Sequence, residues 1–193
     1  MVGVTGALYA LRRQYFQPIP PETILDDVLI PMNVVMQGKR VIFESKAIAY
    51  DKPSRDIAQE KMRKVRTLAG NFQLITKHPE LLNPWKNSIV IHFISHKLMR
   101  LIAPFALLTA LVTNTFLVLL HDAFLFKVTL ALQAFCYAIA LIGIILPQMK
   151  KSVVFRLPVA FLSLNWFVVL GLVEYLSNRE THLWKSNTVM SKS

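Results

Sequence analysis

The stretch Ile24-Leu25-Asp26-Asp27-Val28-Leu29-Ile30-Pro31 sets two neighbouring carboxylates among apolar residues. Such a pair is either a helix cap and nothing more or the holder of an enzyme's base, and its surroundings must decide which. Farther along, Arg63 and Arg66 stand three residues apart, so a helix would carry both guanidiniums on one side. A guanidinium is a planar fork that matches the oxygens of a phosphate. Each pair also has an ordinary structural use. Asp is a favoured N-cap and suits the positive end of a helix dipole, and two arginines can form a solvated or lipid-facing basic face. The remaining chemistry-bearing residues exclude more than they suggest. His92 and His96 are an i,i+4 pair without the Glu of a zinc motif or a third ligand, and they read as part of an interfacial polar face. Cys136 is the sole cysteine, so neither an internal disulfide nor a Cys/His metal cluster is available, and no metal-ligating residue is assigned.

The elements that must position these groups follow from periodicity. "GALYALRR" at 6–13 reads as a short strand or tight turn, and "PIPPETILDD" as an extended loop whose prolines forbid a helix. From Asp27, the apolar spacing Val28, Leu29, Met32, Val35, Met36 predicts a helix that stops at Gly38, a C′ residue. "RVIFESKAIAY" at 40–50 is rich in β-favouring residues and predicts one or two strands. "DKPS" at 51–54 marks a break. A second helix is predicted from Ser54 or Arg55 to about Thr76, with Ala58, Met62, Val65, Ala69, Phe72 and Ile75 on one face. Lys61, Arg63, Lys64 and Arg66 lie opposite, which makes this a basic amphipathic helix suited to a membrane surface. "NSIVIHFISHKLMR" at 87–100 is a second interfacial candidate.

The rest of the chain is apolar. Of 193 residues 54% are hydrophobic, yet the formal net charge is +11, and residues 1–98 hold 14 of the 22 Lys/Arg and 8 of the 11 Asp/Glu. A polar portion followed by a membrane portion accounts for the split. The runs 101–120, 128–149 and 157–173 are predicted membrane helices, the third short enough to be shallow or re-entrant. Lys150, Lys151 and Arg156 make the loop before the third run basic, hence cytoplasmic, while the tail with Arg179, Lys185 and Lys192 leaves its own side open. Basic residues that border membrane spans point to anionic lipid as the partner, not to nucleic acid. No secretory signal is expected at the start. The polar half is expected on the cytoplasmic face of the plasma or inner membrane.

In this order the motifs resemble the C-terminal part of the membrane-bound family 2 glycosyltransferases, the synthases of cellulose, hyaluronan, chitin and poly-N-acetylglucosamine. "TGALYALRR" at 5–13 is similar to the strand that supports the acceptor end, with Gly6 before a small residue. "LDD" at 25–27 takes the place of Thr-Glu-Asp, and "RKVRTLAGNFQ" at 63–73 falls on Gln-x-x-Arg-Trp, where Gly70 and Gln73 also have counterparts. The resemblance implies an α/β fragment, the acceptor half of a GT-A domain (1–54), then amphipathic interfacial helices (55–98) and a transmembrane region of about three helices with a tail (99–193). It implies sugar transfer with inversion from a nucleotide-sugar, a UDP-sugar by preference, to a glycan or lipid-linked acceptor. Asp27 would be the base and Asp26 its companion, and Arg66 would meet the diphosphate with Arg63 one turn away. Thr67 stands where the family has an acceptor-stacking Trp, which puts the acceptor in question. A divalent cation, Mg or Mn, is implied for the complete enzyme, but these 193 residues contain no Asp-x-Asp. The chain is therefore expected to begin within a catalytic domain and to be inactive alone. The other reading is a non-catalytic multi-span membrane scaffold whose basic helix binds lipid or a partner.

Overall fold

The computed structural model describes residues 4, 6, 8–50 and 56–177. The break at 51–54, the expected helix start at Ser54 or Arg55 and the basic tail all lie outside the described residues. Five main helices run along the chain: α1 (Asp26–Met36), α2 (Ile57–Lys77), α3 (Val90–Leu120), α4 (Phe124–Ile145) and α5 (Val153–Ser177). Short 3₁₀ turns lie at Arg13–Tyr15, Pro79–Leu82 and Pro147–Lys151.

The expected α/β fragment is corrected: among the described residues there is no strand. Residues 8–12 and 39–50 lack regular structure apart from a turn at 45–46. β-Favouring side chains do not make a strand without a neighbour to complete the ladder, and neither segment has one. α1 and α2 meet their predicted spans with small shifts, whereas the helix of the first apolar run starts at Val90, not at 101, and takes in most of the segment expected as a second interfacial element. α1 ends in a Schellman turn, with Gly38 at φ +72°, Gly38 N donating to Val35 O (2.9 Å) and Lys39 N to Val34 O (3.2 Å). α2 starts on Asp56, whose side chain accepts from Ala58 N at 3.0 Å.

The contacts divide the chain into two units. The first holds residues up to Leu98 together with Gly171 onward, so the end of α5 belongs to it. Its core is Ile24, Leu25, Val28, Leu29, Met32, Leu74, Leu81 and Phe93. Asn87 is buried beneath them, donating Nδ2 to Leu81 O (2.6 Å) and accepting from Ile89 N (3.0 Å). α2 serves two partners from different sides. Leu68, Phe72 and Thr76 meet the end of α5: Gly171 lies against Leu68 and Ala69, the rings of Phe72 and Tyr175 stack, and Thr76 Oγ1 bonds Tyr175 Oη at 2.7 Å.

The second unit, Met99–Leu170, holds most of three helices long and apolar enough to cross a membrane. The chain fits an integral membrane protein. Pro147 stops α4 before the expected end at 149, since a helix rarely continues through the residue preceding a proline. The third helix is longer than its apolar run, 25 residues from Val153 to Ser177. Gly143 of α4 brings that helix against Phe155 and Val159 of α5. Gln133 Nε2 donates to Leu107 O (3.2 Å) and to Tyr137 Oη (3.0 Å), tying α4 to α3.

Candidate functional site

Leu25, not an aspartate, occupies the N-cap of α1, so the capping role expected of Asp27 is corrected: Asp26 and Asp27 are the first two helical residues. There the unpaired amides of the first turn and the helix dipole still favour negative charge. Asp26 is exposed and Asp27 is partly buried.

Three devices hold Asp27 in place, and each is traceable to particular residues. Pro31 lies inside α1 and has no N–H for the carbonyl four residues earlier, which is that of Asp27. Val4 N takes the freed carbonyl at 3.1 Å. That bond draws the N-terminal segment across the helix mouth, where Gly6 lies beside Asp27; a Cβ on Gly6 would be 3.8 Å from both Cβ and Oδ2 of Asp27. The last device is α2. Arg66, Gly70, Gln73 and Lys77 recur every three or four residues and form one stripe. Gly70 lets α2 approach the loop so closely that a Cβ there would be 2.6 Å from Leu25 Cγ. Gln73 clasps the loop from both ends, Oε1 accepting from Ile24 N and Nε2 donating to Glu22 O, each at 2.9 Å. Lys77 Nζ closes the stripe on Glu22 Oε1 at 3.1 Å.

Burial first, and the adjacent Asp26 charge second, raise the Asp27 carboxyl above its ordinary range. The positive charge of Lys97 and the amides of Asp27 and Val28 act in the opposite sense. Lys97 is the residue that sequence reasoning missed. It sits in a π turn, Ile94–Leu98, inserted in α3, one turn beyond the fully buried Phe93 that packs into the α1 core. Its signal in the sequence is weak: one lysine in the stretch 87–100, next to His96 and three residues before Arg100.

The residues singled out from sequence are thus placed unequally. Gly6 and Asp27 are brought together. Arg66 is partly buried on the stripe that docks against 22–25, with its own partners, while Arg63 is exposed. Thr67 is exposed, its hydroxyl donating back to Arg63 O at 2.9 Å, so it offers no stacking surface. Among the described residues no three His, Cys, Asp or Glu side chains form a group that could hold a metal ion. The expected amphipathic face of α2 is also modified. Of its predicted apolar residues Ala69 is buried, Val65, Phe72 and Ile75 are partly buried, and Ala58 and Met62 are exposed beside a basic outer side of Lys61, Arg63 and Lys64.

Comparisons with protein-family models, with curated proteins and with solved structures return no match. The functional reading therefore rests on the site.

Proposed function

We propose that the chain is the acceptor-side and membrane portion of an inverting glycosyltransferase, and that Asp27 is its base. The observation that carries this reading is a half-buried carboxylate at a helix mouth, its proton affinity raised by burial and by Asp26, with a lysine charge facing it. Such a group accepts a proton from a sugar hydroxyl as the oxygen attacks the anomeric carbon. The bond to the nucleoside diphosphate breaks on the opposite side, and the leaving group departs with the electron pair. Lys97 and Arg66 supply positive charge for the anionic portion of the substrates. The structural devices around Asp27 support the reading because none is needed for an ordinary cap: a proline that frees one carbonyl, a glycine that lets α2 close in, and a glutamine that clasps the preceding loop.

The partners in this reading are a nucleotide-sugar, a glycan or lipid-linked acceptor, and a donor-binding module carrying the Asp-x-Asp and its divalent cation. Lys86, Lys97 and Arg100 ahead of the apolar run 101–120, and Lys150, Lys151 and Arg156 between the second and third spans, support a cytoplasmic side for the polar half. The test is sugar transfer from radiolabelled UDP-sugars by the purified chain in nanodiscs. The chain alone is expected to be silent. With a donor-binding module added, transfer is expected, and Asp27→Asn should lower it by about 10²–10⁴-fold, the range for loss of a general base. Undiminished transfer by Asp27→Asn refutes the assignment.

A second reading, a membrane scaffold with a lipid-binding basic helix, draws on exposed Lys61, Arg63 and Lys64. It is weakened because Ala69 is buried in protein and Val65, Phe72 and Ile75 are partly buried, so that of the apolar face of α2 Ala58 and Met62 remain open to a bilayer surface.

A further inference from the structure

The first unit carries an exposed apolar surface that its core does not use. Ile42 and Phe43 are 80% and 76% exposed, Tyr50 is 95% exposed, and Ile48, Leu8, Tyr9 and Phe16 are also open to solvent. These residues belong to two segments that lie side by side. Val4 and residues 8–11 on one side, and residues 40–44 with Ala47 on the other, form the walls of a groove of about 480 Å³ whose floor is Ile30, Pro31 and Val34 of α1. Lower down, Gln37 Nε2 donates to Tyr15 O at 3.1 Å, and Lys39 Nζ stands 5.3 Å over the Tyr15 ring. Leu8, Tyr9, Ile42 and Phe43 are therefore neighbours around one groove, not scattered side chains. A soluble unit rarely leaves so much contiguous apolar area uncovered.

The surrounding charge narrows what covers it. Arg12, Arg13, Lys39, Arg40 and Lys46 are exposed in the same segments, against Glu44 as the one acidic side chain there. Apolar and aromatic tips ringed by Lys and Arg match the interfacial layer of a bilayer, where rings and alkyl groups enter below the headgroups and cations meet lipid phosphates. A bilayer is also within reach. α3 begins among the buried residues of this unit and continues without a break into a membrane-length apolar helix, Val90–Leu120. Tethering raises the effective concentration of the lipid surface enough for a modest patch to stay bound.

We infer that the face formed by residues 8–16 and 39–50 is the bilayer contact of the first unit, and that its ligand is an anionic lipid surface. The contact expected of α2 is thus carried by the segments that sequence patterning assigns to strands. This inference is independent of the sugar-transfer reading, because it requires no proton transfer at Asp27.

The experiment uses the full chain with Cys136→Ser, reconstituted in nanodiscs of phosphatidylcholine alone or with phosphatidylglycerol added. A nitroxide is placed at Phe43→Cys, at Ile48→Cys or, as an exposed control on α2, at Gln59→Cys. Accessibility to oxygen and to a water-soluble nickel chelate is then read by EPR. Labels at 43 and 48 should be several-fold more accessible to oxygen than to nickel, the control the reverse. The contrast should grow with anionic lipid, and it should shrink in high salt or with Arg12→Glu plus Arg40→Glu. Water-like accessibility at 43 and 48 in both lipid mixtures overturns the inference. Exclusion of both reagents also overturns it, since that result means a covering polypeptide, such as one adding strands to these segments.

Discussion

Gln73 and Gln133 are the same residue in two different solvents. Each sits on a helix and each donates its amide to a backbone carbonyl of another segment, Gln73 to Glu22 and Gln133 to Leu107. Around Gln73 the alternatives for the loop are water and disorder, and the glutamine fixes one conformation of Ile24 and hence of the helix mouth. Around Gln133 the surroundings are apolar helices, whose backbones are already satisfied internally. In the first unit, then, buried polar groups decide local shape. In the second, they adjust an arrangement that length and apolarity have already set.

The largest expected effect comes from breaking the first of these. Gln73→Leu leaves the amide of buried Ile24 without a partner, which costs about 1–3 kcal/mol. The carbonyl of exposed Glu22 can turn to water and adds little. Urea unfolding followed by hydrogen exchange at residues 22–28 reads both consequences: a lower midpoint and faster exchange ahead of α1. Unchanged exchange there shows that Gly70 and the core, not the clasp, hold the loop.

Much of this division is legible from sequence, and the boundary is physical. α1 and its stop at Gly38 are legible because apolar spacing and a C′ glycine are local signals. The membrane helices are legible because a bilayer selects for length and apolarity and for little else. The absence of strands among the described residues is not. "RVIFESKAIAY" has the composition of a strand, but pairing depends on a neighbour that composition cannot supply. Within the site, the importance of the acidic pair is visible in its odd surroundings. What Pro31 and Gly70 do there is not, because a freed carbonyl and a close approach appear only when Val4 and Leu25 are brought next to them. Lys97 was hidden by the π turn, which shifts the helical register on which pattern reading relies.

A smaller effect of opposite sign is expected at Asp27. Its carboxyl holds its proton to higher pH in the folded chain than in the unfolded one, where the ordinary value is 3.8. Between those two values the folded state binds more protons, so stability falls as pH rises through the window, and the deficit remains at neutral pH. Asp27→Asn removes the charge that burial disfavours. The variant should therefore melt above wild type at pH 7, and the gap should close as pH falls below the unfolded value. A site that sacrifices stability for chemistry behaves this way, whereas a variant less stable than wild type at pH 7 marks Asp27 as a structural anchor of the helix start.

The smallest effect is expected from Gln133→Leu, and it tests the other side of the comparison. The change removes the bonds to Leu107 O and Tyr137 Oη but puts an apolar side chain where the surroundings are apolar. Leu107 O loses only an extra partner, because it lies inside α3, where carbonyls bond along the helix. Polar pairs between membrane helices average about 0.6 kcal/mol, since the separated helices find substitutes. Reversible unfolding in mixed micelles should therefore register a loss well below that of Gln73→Leu. A loss equal to that of Gln73→Leu would mean that Gln133 fixes the register of α4 on α3 as firmly as Gln73 fixes the loop before Asp27. The second unit would then be a specified polar assembly, not a set of helices sorted by the bilayer.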